Sequence, residues 1–209
     1  MADGGFSSDD LIQIDGCATV ATLFAKRCKA KGDSVAHREK DRGVWKSHSW
    51  ADYYNHARWT GLGLMKLGVN RGDVVSILSE DRREWLYYDM GVMGIGAVAS
   101  GIYTTDSAKQ MAYLVNDSAS QVLFVENDEQ LDKWLEVRDD MPGLKHVIIF
   151  DRDGLRDFSD PMVTFYDDLL ALGQAEDKAN PGRFEAELEK AAPDDIITLI
   201  YTSGTTGPP

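Results

Sequence analysis

The stretch Ile200 to Pro209, IYTSGTTGPP, holds the densest set of phosphate-handling parts in the chain. A phosphate is held well where backbone N–H groups converge without side chains in the way. Glycine permits that approach, and Ser and Thr hydroxyls add donors or a magnesium ligand. Thr202, Ser203, Gly204, Thr205, Thr206 and Gly207 are such parts, with Tyr201 flanking them. They follow the β-branched run Ile196–Tyr201 (IITLIY), and nucleotide loops commonly sit behind a buried strand of this kind. The spacing is not that of a Walker A loop: Gly204 and Gly207 stand too close together, and no lysine follows. On residues alone the stretch reads equally as a phosphate loop and as an ordinary polar end.

Other chemistries are poorly supplied. His37, His48, His56 and His146 are scattered, with no Ser or Cys at a useful spacing, so none is given a catalytic role. The pairs Asp9-Asp10, Asp139-Asp140, Asp167-Asp168 and Asp194-Asp195 read as solvated loop or helix-end charges. Cys17 and Cys28 form no CxxC pair and read as reduced, partly buried thiols. A net charge of −13 opposes nucleic acid, and the one basic run, Lys26 to Lys31, suits the C-terminal end of a helix. The acidic start lacks the pattern of a signal peptide, and the best apolar run, Gly91 to Ile102, is too short to span a bilayer. The chain therefore reads as cytoplasmic without a transmembrane segment, a reading compatible with peripheral membrane contact.

The elements that must carry the loop follow from periodicity. Residues 1–18 read as an N-terminal arm and 19–209 as one domain. Thr19 to Lys31 has helical spacing up to Gly32-Asp33. Val35–Glu39 and Val44–Trp50 flank Asp41-Arg42-Gly43 as a small β-hairpin. Ser49, with Asp52 three residues on, caps a helix whose stripe runs through Tyr54, Ala57, Gly61, Leu64 and Leu67 to Gly68. Strands are then expected at Val74–Leu78, Ala97–Tyr103, Gln121–Glu126 and His146–Phe150. Helices alternate with them: one marked by Trp85, Tyr88, Val92 and Ile95, one capped by Thr105 or Asp106, and one over Glu129–Met141. Asp151–Asp160 reads as a surface loop, and Phe165–Leu172 and Phe184–Ala191 as helices before the buried strand Ile196–Tyr201. The fold class is α/β: a mostly parallel sheet with helices on both faces and a small N-terminal β-hairpin. Gly91, Gly94 and Gly96 sit late in a helix, where they suit close helix–sheet packing rather than a dinucleotide turn. Trp85 and Tyr88 read as core.

YTSGTTGPP behind DDIITLI resembles the phosphate loop of the adenylate-forming (AMP-binding) superfamily, which includes acyl-CoA synthetases, luciferases and peptide-synthetase adenylation domains. LGVNRGDVVSILSEDRREWLYYDMGVMGIGAVASGIYTT is similar to that family's segment upstream of the loop. VENDEQLDKWLEVRDDMPGLKHVIIFD is most like the long-chain fatty acyl-CoA synthetase branch. The resemblance implies ATP, Mg²⁺ and CoA as reactants, with a fatty acid as the acyl donor. It places Thr202 to Gly207 around the ATP phosphates and Thr202 on the magnesium. It also implies a partial N-terminal domain cut within the loop, ahead of the family's lysine. The C-terminal domain would be absent, with no catalytic residue inside the chain and no activity from these residues alone. An adenylation domain for an amino or aryl acid, and a non-catalytic nucleotide-binding module, are the alternatives.

Overall fold

The computed structural model describes residues 13–202. Its local signals are met first at the chain's early helices. Helix α1 (Val20–Lys31) starts where the Thr19 hydroxyl accepts the Thr22 N–H, and Lys29 and Lys31 sit in its last turn. The hairpin strands β1 (Val35–Asp41) and β2 (Val44–Ser49) pair antiparallel. They turn through Arg42 and Gly43, both at positive φ (46° and 85°), the backbone hand that matches strand twist. Trp50, expected in β2, instead opens α2 (Trp50–Lys66), because Ser49 and Asp52 form a complete capping box just before it.

The sheet is built from β3 (Val74–Leu78), β4 (Val98–Ile102), β5 (Val122–Val125), β6 (His146–Ile149), β7 (Val163–Phe165) and β8 (Thr198–Leu199). Their order is β7-β6-β5-β3-β4-β8, and every neighbouring pair is parallel. Side chains leave a strand on alternate faces. Val75, Ile77, Phe124 and Ile148 accordingly pack on one side, against α2, α3 (Arg83–Gly94), α6 (Tyr166–Ala179) and Phe184 of α7 (Arg183–Leu188). Leu78, Leu123, Val125, Val147 and Ile149 pack on the other, against α4 (Ala108–Asp117) and α5 (Asp128–Val137). Both faces are covered, as the near-continuous apolar strands require. Tyr88 also ties the sheet: its hydroxyl donates to the Val75 carbonyl at 2.6 Å and accepts the Ser100 N–H at 3.2 Å.

Several expectations need correction. The cap of α4 is Ser107, which makes a capping box with Gln110, not Thr105 or Asp106. Helix α5 stops at Val137, and a single 3-10 turn (Arg138–Asp140) continues it. Helix α6 runs past Leu172 to Ala179, and β7 precedes it where no strand was expected. The glycines of α3 serve helix-on-helix contact rather than helix-on-sheet contact. A Cβ on Gly91 would lie 2.6 Å from the Ala57 carbonyl oxygen of α2, and one on Gly94 2.3 Å from the Phe184 ring. Most consequential for function, Ile196–Tyr201 is not a buried strand. Only Thr198 and Leu199 pair, with Ala99 and Ser100 at the sheet edge, while Ile196 and Ile200 are 66% and 79% exposed.

Candidate functional site

Parallel strands present their carboxyl ends to one rim of the sheet, and ligands of open α/β sheets bind at that rim where the strand order reverses. Here the chain passes from β3 to β4 on one side and crosses back to β5 on the other, so the reversal lies between β3 and β5. The residues that leave these strand ends carry charge: Glu80 after β3, Glu126 after β5 and Asp151 after β6.

Arg82, at the N-terminus of α3, binds them together. Its two terminal nitrogens donate to the two carboxylate oxygens of Asp151 at 3.1 and 2.9 Å. Its Nε donates to Glu84 Oε2 at 2.7 Å, and Glu126 Oε1 lies 3.8 Å away. The guanidinium also stands over the Phe150 ring, 5.1 Å from its centroid. Burial works against the Arg82 charge, but the bonds to Asp151 and Glu84 outweigh it and hold the group protonated. Glu84 shows the mirror case. Burial alone would raise its pKa, yet bonds from Arg82 and Arg83 hold the carboxyl below its usual range. The Glu80 N–H donates to Glu126 Oε2 at 2.8 Å, and the Thr104 hydroxyl beyond β4 donates to Glu80 Oε1.

This arrangement is a brace. Every nitrogen of Arg82 and both oxygens of Glu84 are already engaged, so neither of these two groups is free to move a proton. Four carboxylates (Glu80, Glu84, Glu126, Asp151) face two guanidinium groups (Arg82, Arg83), so the reversal point is net anionic and disfavours a phosphate. Among the described residues no cluster of three metal-ligating side chains occurs. Sequence reasoning missed the brace, although a carboxylate within two residues of the ends of β3, β5 and β6 was the signal for it.

Of the stretch expected to hold phosphate, Tyr201 and Thr202 fall among the described residues. Tyr201 packs against the α4–α5 side of the sheet and donates from Oη to Asp117 Oδ2 at 2.8 Å. Burial, aided by Asp117, pushes the Tyr201 phenol up to about 12. Asp117 ends α4, so this bond ties the exit from β8 to that helix. Thr202 is exposed on irregular backbone. Ser203, Gly204, Thr205, Thr206 and Gly207 lie outside the described residues. No hydrogen bond or ion pair among the described residues joins Tyr201 or Thr202 to the brace.

The remaining sequence candidates resolve differently. His37, His48 and His56 are gathered rather than scattered. His37 stacks on His48 at 4.9 Å, and His56 stacks on Tyr87 at 4.7 Å. Both ring nitrogens of His37 are buried without a hydrogen-bond partner among the described residues, and burial, then the His48 charge, lowers its pKa. The rings pack the hairpin against Tyr53 of α2 and Tyr87 of α3. Tyr87 and Tyr88 are core; Trp85 is half-buried beside them. Among the described acidic pairs, Asp168 binds Arg152 and Asp195 binds Arg71, while Asp9-Asp10 lies outside the described residues. Burial pushes the Cys28 thiol up to about 12, which keeps it protonated and unreactive. No helix among the described residues is long and apolar enough to cross a membrane.

Comparisons with known proteins follow this geometry. The profile of the family described as AMP-binding enzyme matches residues 24–209. A long-chain-fatty-acid–CoA ligase of Xenopus laevis is 34% identical over 191 residues, covering 91% of this chain and 25% of that protein. One from Mycobacterium bovis is 34% identical over 190 residues, covering 91% and 30%. The chain thus spans about a quarter to a third of the length of these relatives. Among solved structures, the anthranilate CoA ligase AuaEII in complex with anthranoyl-AMP superimposes with a TM-score of 0.71 at 24% identity. That match covers 90% of this chain and 33% of the ligase. A putative long-chain-fatty-acid CoA ligase of Rhodopseudomonas palustris gives 0.61 at 26% identity, covering 72% and 36%.

Proposed function

Because this chain belongs to the AMP-binding enzyme family, we propose that it forms part of an acid–thiol ligase acting on long-chain fatty acids. The observation that carries the reading is the 34% identity to long-chain-fatty-acid–CoA ligases across nine-tenths of the chain. In the proposed reaction a fatty carboxylate attacks the α-phosphorus of ATP, forming acyl-adenylate and releasing pyrophosphate. The CoA sulfur then attacks the acyl carbon, forming the thioester and releasing AMP with the C–O bond electrons. Phosphoryl-group chemistry of this kind needs positioning and charge neutralisation more than a protein nucleophile.

Within the chain, Thr202 to Gly207 would hold the β- and γ-phosphates through backbone N–H groups, with Tyr201 anchoring the loop on Asp117. The exposed Thr202 hydroxyl at the end of an edge strand fits a role on the phosphates, whereas the anionic brace around Arg82 fits no phosphate. Mg²⁺ would supply neutralisation of the phosphate charge, with Thr202 as the protein contact in this segment. The enzyme would work in the cytoplasm. The 209 residues would not turn over alone, since they represent a quarter to a third of the relatives' length.

The test is exchange of labelled pyrophosphate into ATP by the full-length protein. Exchange should require a long-chain fatty acid, and residues 1–209 alone should give none. Exchange that requires an amino or aryl acid instead would reassign the substrate class. Tight, saturable Mg·ATP binding by residues 1–209 without exchange in the full-length protein would favour a non-catalytic nucleotide-binding module.

A further inference from the structure

The β1–β2 hairpin sorts its charges by face. Directly paired residues of an antiparallel ribbon share a face, and successive pairs alternate. His37–His48, Glu39–Lys46 and Asp41–Val44 therefore lie on one side, and Arg38–Ser47 and Lys40–Trp45 on the other. The first side is turned to the body, where the two histidine rings stack. Its acids are engaged: Glu39 lies 3.4 Å from Arg83 and 3.6 Å from His48, and Asp41 is paired with Lys46. The outward side keeps Arg38, Lys40 and Trp45 with no carboxylate at all, and Arg42 adds a third cation at the turn. None of these three cations has an ion-pair or hydrogen-bond partner among the described residues. Val44 and Trp45 are each 65% exposed.

Protection of the ribbon's edges accounts for lysine and arginine on an exposed face. It does not account for an exposed tryptophan and valine at the tip, which cost solubility unless something covers them. The occupant has to be anionic, because the patch is purely cationic in a chain of net charge −13. It also has to accept an indole at a water–hydrocarbon boundary, where Trp sits well with its N–H kept wet. A stable protein interface buries roughly 800 Å² of matched surface on each partner. A lipid surface needs no such matched area. The hairpin tip also holds the cations ahead of the acidic body, whose repulsion is screened beyond a Debye length of about 8 Å.

We propose that the outward face of this hairpin docks on anionic lipid bilayers, with Trp45 at the headgroup boundary and Arg38, Lys40 and Arg42 on lipid phosphates. The proposal stands independently of the ligase chemistry. The experiment is flotation of the full chain with vesicles of phosphatidylcholine, with and without 30% phosphatidylserine. The protein should float with the anionic vesicles and remain behind with neutral ones. Flotation should weaken in 0.5 M NaCl, and brominated lipid should quench part of the tryptophan emission. In Arg38→Ala/Lys40→Ala, loss of two cations at about 1 kcal/mol each lowers partitioning about thirtyfold. In Trp45→Ala, the brominated-lipid quenching is lost; in Trp45→Phe, flotation is retained. All these side chains are exposed, so the thermal transitions of the variants should match the parent. Equal binding to neutral vesicles, or variants that float like the parent, would overturn the proposal. Capture by poly-glutamate beads without flotation would overturn it in favour of an acidic polypeptide.

Discussion

Strands β5 and β8 belong to one parallel sheet and share almost nothing else. All four residues of β5 (Val122–Val125) are fully buried, between β3 and β6 and beneath helices on both faces. Strand β8 is two residues long, pairs only with β4 among the described residues, and is flanked by isoleucines that face water. The sheet's stability is therefore concentrated at its centre, while the segment proposed to carry phosphate chemistry leaves from its weakest strand. That division suits a loop that must grip and release, since elements that move are drawn from the low-stability end of a structure.

The sharpest test of this division is Phe124→Ala. The ring is fully buried and meets Tyr88 at 5.0 Å, Phe150 at 5.5 Å and Tyr166 at 6.4 Å, so no neighbour can collapse into the space without disturbing another. Truncation should cost about 3–5 kcal/mol in urea unfolding. A loss below about 1 kcal/mol would mean that the centre does not hold the sheet, and the comparison would fail.

A smaller effect is expected at the rim, from Arg82→Ala. The side chain bridges the strand ends without belonging to a strand, and its removal leaves the buried Glu84 with Arg83 alone and Asp151 unpaired. The loss should be about 3 kcal/mol, the lower end for breaking a buried pair, because Arg82 keeps some contact with water. Lysine should recover little, since it cannot reproduce the paired bonds to Asp151. Recovery by Arg82→Lys to within about 0.5 kcal/mol would show that only the charge matters there, not the fork geometry.

The same contrast separates what was legible in the sequence from what was not. Strand β5, the Ser49–Asp52 capping box and the Arg42-Gly43 turn are each written within a few residues, because local backbone chemistry decides them. Elements settled by distant partners were misjudged. The helix expected to stop at Leu172 continues as α6 through Gly173, where a Cβ would lie 1.9 Å from the Trp59 carbonyl oxygen, so glycine there admits the close approach of α2. Strand β7 is three half-buried residues without a period of its own. The run IITLIY has the composition of a buried strand, but burial depends on neighbours, and β8 has one on a single side among the described residues. The brace around Arg82 joins residues up to 69 positions apart, so only the recurring carboxylate behind β3, β5 and β6 hinted at it. The candidate loop was legible as composition and resemblance, and of its residues Tyr201 and Thr202 fall within the described part.

The smallest effect on folding, and the finest test of the comparison, lies at β8 itself. Ile200 is 79% exposed and Ile196 66%, so replacing either with threonine removes little buried apolar area and keeps a β-branched side chain. Each substitution should change the unfolding free energy by no more than about 0.5 kcal/mol. An open strand edge flanked by exposed isoleucines is nonetheless a template for pairing with another chain. Sedimentation velocity of Ile196→Thr/Ile200→Thr, compared with the parent, should show less self-association at equal folding stability. A loss of several kcal/mol would instead mean that these residues are covered in solution and that β8 is anchored as firmly as β5. The division between a firmly packed centre and a loosely held edge proposed to carry the phosphate loop would then have to be abandoned.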